Sequence, residues 1–152
     1  IDETVKTVRR ISTELRPSIL DDLGLIAAME WQSEEFQKRS EIACLFRSNV
    51  SEFKIEPDLA TGVFRIYQEC LTNVFRHAAA TQVNSYLEIQ PNELVMSISD
   101  NGIGFMAEDI ANKKTLGILG MRERTSLLGG IYEITSFHGK GTSVKIIVPL
   151  NK

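Results

Sequence analysis

Glu69, Asn73, Arg76 and His77 stand in the stretch FRIYQECLTNVFRHA at intervals of three and four residues. In an α-helix these intervals bring side chains to one face. A carboxylate, an amide, a guanidinium and an imidazole would then form a single polar stripe. An acid and an amide on one rail can hold a hydrated cation. The basic end can meet the phosphates that such a cation neutralises. Val63, Ile66, Tyr67, Cys70, Leu71 and Val74 fall at helical spacing on the other side, so that face reads as core. Pro57-Asp58 marks the helix start, with Asp58 as N-cap.

Glycine-bearing segments follow in order. Asp100-Asn101-Gly102-Ile103-Gly104-Phe105 comes directly after an alternating apolar run. Glycines here let the backbone turn sharply and approach a ligand closely. Alone, the segment is a strand-ending turn. Its loose fit to a dinucleotide fingerprint fails on context: no parallel βαβ unit surrounds it, and Leu127, about twenty residues on, is not acidic. Gly117 and Gly120 open a helical stretch, where free backbone amides favour phosphate. Gly139-Lys140-Gly141-Thr142 reads as a hairpin turn; Gly141 after Lys140 excludes a Walker A loop. His77 alone could be a structural histidine, and His138 a solvated one in a turn. Each element has a plain structural reading singly, and the information lies in their succession.

The positioning elements come from periodicity. Ile1, Val5, Val8, Ile11 and Leu15 predict a helix over 1–16, with a break at Arg16-Pro17. A second helix is predicted from about Asp22 to Arg39, with Leu25, Ile26, Met29 and Phe36 on one side. Alternation predicts strands at 42–47, 82–89, 94–99, 131–137 and 143–149, with Pro91-Asn92 turning one hairpin and residues 138–141 another. Residues 105–116 are polar and aperiodic, which suits a mobile loop. Residues 118–128 predict a helix ended by Gly129-Gly130. The result is an α+β fold: a two-layer α/β sandwich with helices on one face of a mixed, mostly antiparallel five-stranded sheet. The N-terminal helices would precede it as a separate layer or a dimerisation element.

Composition bounds the rest. The chain has 152 residues, enough for one domain with a sizeable core, and 43% hydrophobic with 24% charged residues is ordinary for a globular protein. A formal net charge of -3 gives no sign of nucleic-acid affinity. No apolar run approaches the ~20 residues that span a bilayer. No signal peptide is evident, and a start in mid-pattern without Met points to a piece of a longer protein. Cys44 and Cys70 lack metal-ligand spacing and read as buried free thiols of a reducing compartment.

The succession QECLTNVFRHA, DNGIGF, LGILGMRER and GGIYEITSFHGKGTSVKIIVPL resembles the catalytic ATP-binding domain of two-component sensor histidine kinases. That superfamily includes gyrase, the Hsp-type chaperones and the mismatch-repair protein MutL, and its ATP domain is the Bergerat fold. The segment ELRPSILDDLGLIAAM is similar to the subgroup of nitrate and lipid-fluidity sensors. The resemblance covers essentially the whole chain. It implies that residues 1–40 are the C-terminal part of a dimerisation and phosphotransfer region, and 41–152 the ATP-binding catalytic domain.

The resemblance also implies roles. Asn73 coordinates Mg²⁺ bridging the ATP phosphates. Glu69 orients or activates the attacking group, or polarises a Mg²⁺-bound water. Arg76, where the family usually has Lys, and His77 contact phosphates. Asp100 accepts from the adenine amino group, with Thr142 helping directly or through water. Gly102 and Gly104 let the chain pass near the base and begin a lid over 105–116, and Gly117 and Gly120 present amides to the phosphates. The family's phosphoacceptor histidine sits on an earlier helix, and neither His77 nor His138 occupies that place. The implied partners are ATP, a response-regulator receiver domain and, in the parent, a second copy. The implied setting is cytoplasmic, in a parent that can be anchored in the inner membrane. Two rivals are an anti-sigma-factor-type serine kinase, which lacks the N-terminal segment, and a non-catalytic nucleotide-binding signalling module.

Overall fold

The computed structural model describes residues 18–104 and 117–150. The helix expected over 1–16 and the loop expected over 105–116 lie outside the described residues. The elements are α1 (Ser18–Ser40), β1 (Ala43–Ser48), α2 (Pro57–Asn73), a π-helical turn (Val74–Ala78), β2 (Gln82–Ile89), β3 (Glu93–Asp100), α3 (Ile118–Leu127), β4 (Ile131–Phe137) and β5 (Gly141–Pro149). The five strands form one sheet in the order β1-β2-β3-β5-β4. Only β1 and β2 run parallel; the other pairs are antiparallel.

Period-two patterning makes the sheet one-sided. Val83, Ser85 and Leu87 of β2 are buried, whereas Gln82, Asn84 and Tyr86 are exposed. Leu94, Met96 and Ile98 of β3 and Val144, Ile146 and Val148 of β5 continue the buried face. The helices cover that face, as an antiparallel sheet with one solvated side requires. From α2, Leu59, Val63, Phe64, Ile66, Tyr67, Cys70 and Leu71 enter the core at helical spacing. Tyr67 is fully buried, and its hydroxyl pairs with Ser85 Oγ at 3.0 Å. Its ring meets Phe46 at 6.3 Å between centroids. Tyr67→Phe leaves Ser85 without its partner, and thermal or denaturant unfolding should show a loss of ~1–2 kcal/mol.

The helix α1 is interrupted at Gly24, whose φ of 92° and ψ of 176° are not helical. Beyond it, Leu25, Ile26, Ala28, Met29 and Phe36 join the same core as the sheet. At its far end the Gln37 side-chain oxygen accepts the Cys44 amide at 2.8 Å. This contact satisfies a donor on the edge strand β1 that would otherwise remain open.

The start of α2 corrects one expectation. The cap is Glu56, whose Oε1 accepts the Leu59 amide at 2.9 Å, rather than Asp58. Proline occupies the first helical position, so the cap must precede it. At the end of α3, Leu127 is 88% exposed, while Leu128 packs on the core and caps the helix through Thr125 O at 3.0 Å. Both cysteines are buried and free. No helix among the described residues is long and apolar enough to cross a membrane.

Candidate nucleotide-binding site

The α-helix carrying Glu69 and Asn73 stops at Asn73. Residues 74–78 then form one wide π turn, which closes on Ala79 in the left-handed region (φ 52°, ψ 40°). The expected single stripe is therefore split, because α-helical spacing does not extend to Arg76 and His77. Asn73 points into a pocket together with Asp100 and Thr142. Arg76 is exposed and His77 half-buried, and neither lines that pocket. Wide turns of this kind recur at functional sites, where they re-aim a helix end.

Asp100 closes β3, and Thr142, the second residue of β5, stands beside it; one register step earlier, Ser99 faces Ser143. The Gly102 amide donates to Asp100 Oδ1 at 2.8 Å. The Thr142 amide also donates to this carboxylate. Burial nevertheless outweighs both donors and raises the Asp100 carboxyl above its ordinary range. Thr142 is buried, and its hydroxyl pairs with Ser136 Oγ at 2.8 Å. Apolar walls come from Val74, Ala78, Ile98, Ile118, Tyr132, Ile134 and Val144, with Cys70 between them. Burial drives the Cys70 thiol well above its usual range, so it lines the pocket as a neutral group and not as a nucleophile. A largely apolar pocket lined also by the Asp100 carboxylate and the Thr142 hydroxyl suits a heteroaromatic base with an exocyclic amine.

The phosphate-side candidates gather at the start of α3. Gly117 caps this helix with φ 68°. Glu69 Oε2 lies beside it, only 2.9 Å from where a Cβ on Gly117 would stand. A helix N-terminus favours negative charge through its free amides, which accounts for the carboxylate there and fits phosphate equally well. Gly120 faces open space one turn along. Among the described residues no three His, Cys, Asp or Glu side chains form a metal cluster. A single amide such as Asn73 suits a Mg²⁺ ion that keeps its other ligands from phosphate and water.

Gly102 and Gly104 answer to the protein's own backbone. A Cβ at Gly102 would strike the Ala78 carbonyl, and one at Gly104 the Phe137 carbonyl. The apolar walls and Asn101 were not among the residues singled out from sequence. The walls were visible only as strand and helix periodicity, which marks burial but not which buried side chains border a cavity.

The fold and site define a two-layer sandwich with a pocket at the ends of the central strands and a helix start beside it. The family pattern for "Histidine kinase-, DNA gyrase B-, and HSP90-like ATPase" matches residues 58–152, and the chain belongs to this family. It is 36% identical over 146 residues to the oxygen sensor histidine kinase NreB of Staphylococcus carnosus, covering 96% of this chain and 42% of that protein. It is 33% identical over 148 residues to the sensor histidine kinase LiaS of Bacillus subtilis, covering 97% of this chain and 40% of that protein. The chain thus spans about two fifths of the length of these relatives. The histidine kinase domain of the blue-light activated kinase of Erythrobacter litoralis EL346 superposes with a TM-score of 0.70 at 22% identity, covering 83% of this chain and 61% of that one. The catalytic domain of histidine kinase ThkA gives 0.65 at 17% identity, covering 83% and 90%. These two likenesses concern the fold.

Proposed function

We propose that this chain is the catalytic, ATP-binding portion of a bacterial two-component sensor histidine kinase. The observation that carries this reading is the convergence of Asn73, Asp100 and Thr142 on one pocket, with Glu69 at the start of α3. Asp100 accepts the adenine amino group, and Thr142 supports it. Asn73 holds Mg²⁺, which neutralises phosphate charge. Glu69 orients the attacking group or a metal-bound water. The amides at Gly117 and Gly120 receive phosphate, while Arg76 and His77 reach it from the π turn. Gly102 and Gly104 shape the backbone beside the base. Little covalent chemistry falls to the protein; positioning and charge stabilisation do the work.

The γ-phosphoryl acceptor is a histidine on a helix N-terminal to this chain, and a receiver domain takes the group next. Residues 1–40 belong to the dimerisation and phosphotransfer region, residues 41–152 to the ATP domain, and the parent works as a cytoplasmic-facing homodimer. The relatives' match through the N-terminal segment supports this reading over the serine kinase.

The test is phosphorylation of the parent chain with γ-labelled ATP. Acid-labile, base-stable phosphate is expected, and Asn73→Ala should lower the rate by about a hundredfold or more, as for loss of one transition-state contact. Acid-stable phosphoserine on a partner would instead establish the serine kinase.

A further inference from the structure

Asn101 has no part in the roles assigned above, and the residue is exposed, yet its side chain makes three hydrogen bonds. Its Oδ1 accepts the Thr81 amide at 2.9 Å and the Gln82 amide at 3.0 Å. Its Nδ2 donates to Thr81 Oγ1 at 2.8 Å. Backbone bonds flank this clasp: the Asn101 amide donates to Gln82 O at 3.2 Å, and the Ile103 amide to Ala78 O at 2.8 Å. Gly102 lies against the same Ala78 carbonyl, with no room for a Cβ.

Two walls of the pocket meet at this point. One is the exit of α2, which runs from Asn73 through the π turn to Ala78 and the left-handed Ala79. The other is the loop after β3, which begins at Asp100. The π turn leaves the α-helical ladder, so that ladder does not fix where the segment 78–82 comes to rest. The amide of Asn101 reinforces the backbone bonds and strand pairing that hold it, because it satisfies two successive backbone donors at once and is oriented through Thr81.

We infer that Asn101 is a positioning residue that sets the span between Asn73 and Asp100. It thereby couples the phosphate side of the site to the adenine side. This inference rests on the proposed ATP site. Adenosine between Val74, Ala78 and Asp100 meets both walls through its base alone, whereas Mg·ATP must also reach Asn73 in register with Asp100, so Mg·ATP should depend more on the clasp, since misplacement of ~1 Å is costly to a spanning ligand.

The experiment titrates the 152-residue chain with adenosine and with Mg·ATP, by calorimetry, for wild type, Asn101→Ala and Asn101→Asp. Asn101→Ala should weaken Mg·ATP about tenfold and adenosine less than about threefold, the scale of lost hydrogen bonds acting on a bridging ligand. Asn101→Asp should restore Mg·ATP binding, because a carboxylate still accepts from both amides and from the Thr81 hydroxyl. Thr81→Val removes one bond of the three and should show the same selectivity at smaller amplitude, which keeps the test valid if Asn101→Ala folds poorly. Equal weakening of both ligands, no weakening of Mg·ATP, or failure of the aspartate to rescue overturns the clasp. A wild-type chain that binds neither ligand overturns the proposed function instead.

Discussion

Asp100→Asn should abolish most ATP affinity while leaving the ligand-free fold as stable as before or slightly more so. The two effects have one physical origin. Burial raises the Asp100 carboxyl above its ordinary range despite the donors from Gly102 and Thr142. The folded state therefore favours the neutral form. For such a group the favourable contribution to folding is complete below the unfolded pKa and is lost as pH rises through the raised folded value. At neutral pH the ionised carboxylate opposes folding, and an amide removes that opposition. Asparagine oxygen still accepts from Gly102, so the loop keeps that internal bond. What the amide cannot do is accept from an adenine amino group; its NH₂ then faces another donor. Loss of a charge-assisted bond, with a clash of donors in its place, corresponds to about a hundredfold or more in affinity. Wild-type binding should also weaken on acidification, beginning at a higher pH than for an ordinary aspartate, because the adenine contact needs the ionised form. Thermal unfolding and calorimetric titration across that pH range separate the two effects. A variant that unfolds earlier, or binds ATP normally, contradicts the assignment.

Gly141→Ala should be among the most damaging single methyl additions at the described residues. Gly141 has φ 89°, a region that costs an alanine ~1–2 kcal/mol. The new Cβ would also strike the Asp100 carbonyl, and nearby Asn101 Cα stands at 3.3 Å. These are backbone atoms in strand pairing, so relief requires moving β3 against β5. Overpacking of this kind adds ~1–3 kcal/mol. A total of ~2–5 kcal/mol is a large share of the 5–15 kcal/mol typical of a domain. Any variant that still folds should bind ATP poorly, since the clash bears on Asp100 itself. Urea unfolding, together with ATP titration of the folded fraction, measures both consequences. A variant with wild-type stability would show that the strands separate easily at this corner.

The fold was legible where periodicity and burial coincide. Val63, Ile66, Tyr67, Cys70, Leu71 and Val74 read as one buried face, and all are buried. The alternation of 82–89 located β2 to the residue. What periodicity does not carry is partner choice: nothing in residues 42–47 says that β1 lies parallel to β2. Local turn chemistry was harder still. The stretch VFRHA contains no glycine or proline, so its departure from the α-helix was invisible, and with it the separation of Arg76 and His77 from Asn73. The glycines of DNGIG read as sites where the backbone approaches a ligand, not its own chain. The neighbours they approach, the carbonyls of Ala78 and Phe137, are distant in sequence and appear only in the folded chain. Asn101 was overlooked for a related reason: its partners Thr81 and Gln82 are some twenty residues away.

The proposed adenine nucleotide site is the pocket joining Asn73, Asp100 and Thr142. Its most direct test is a calorimetric titration of wild type and Asp100→Asn with Mg·ATP under identical conditions. Saturable binding to wild type, with affinity at least about a hundredfold lower in the variant, is the predicted result. Equal affinity in both chains, or no binding to wild type, would contradict it.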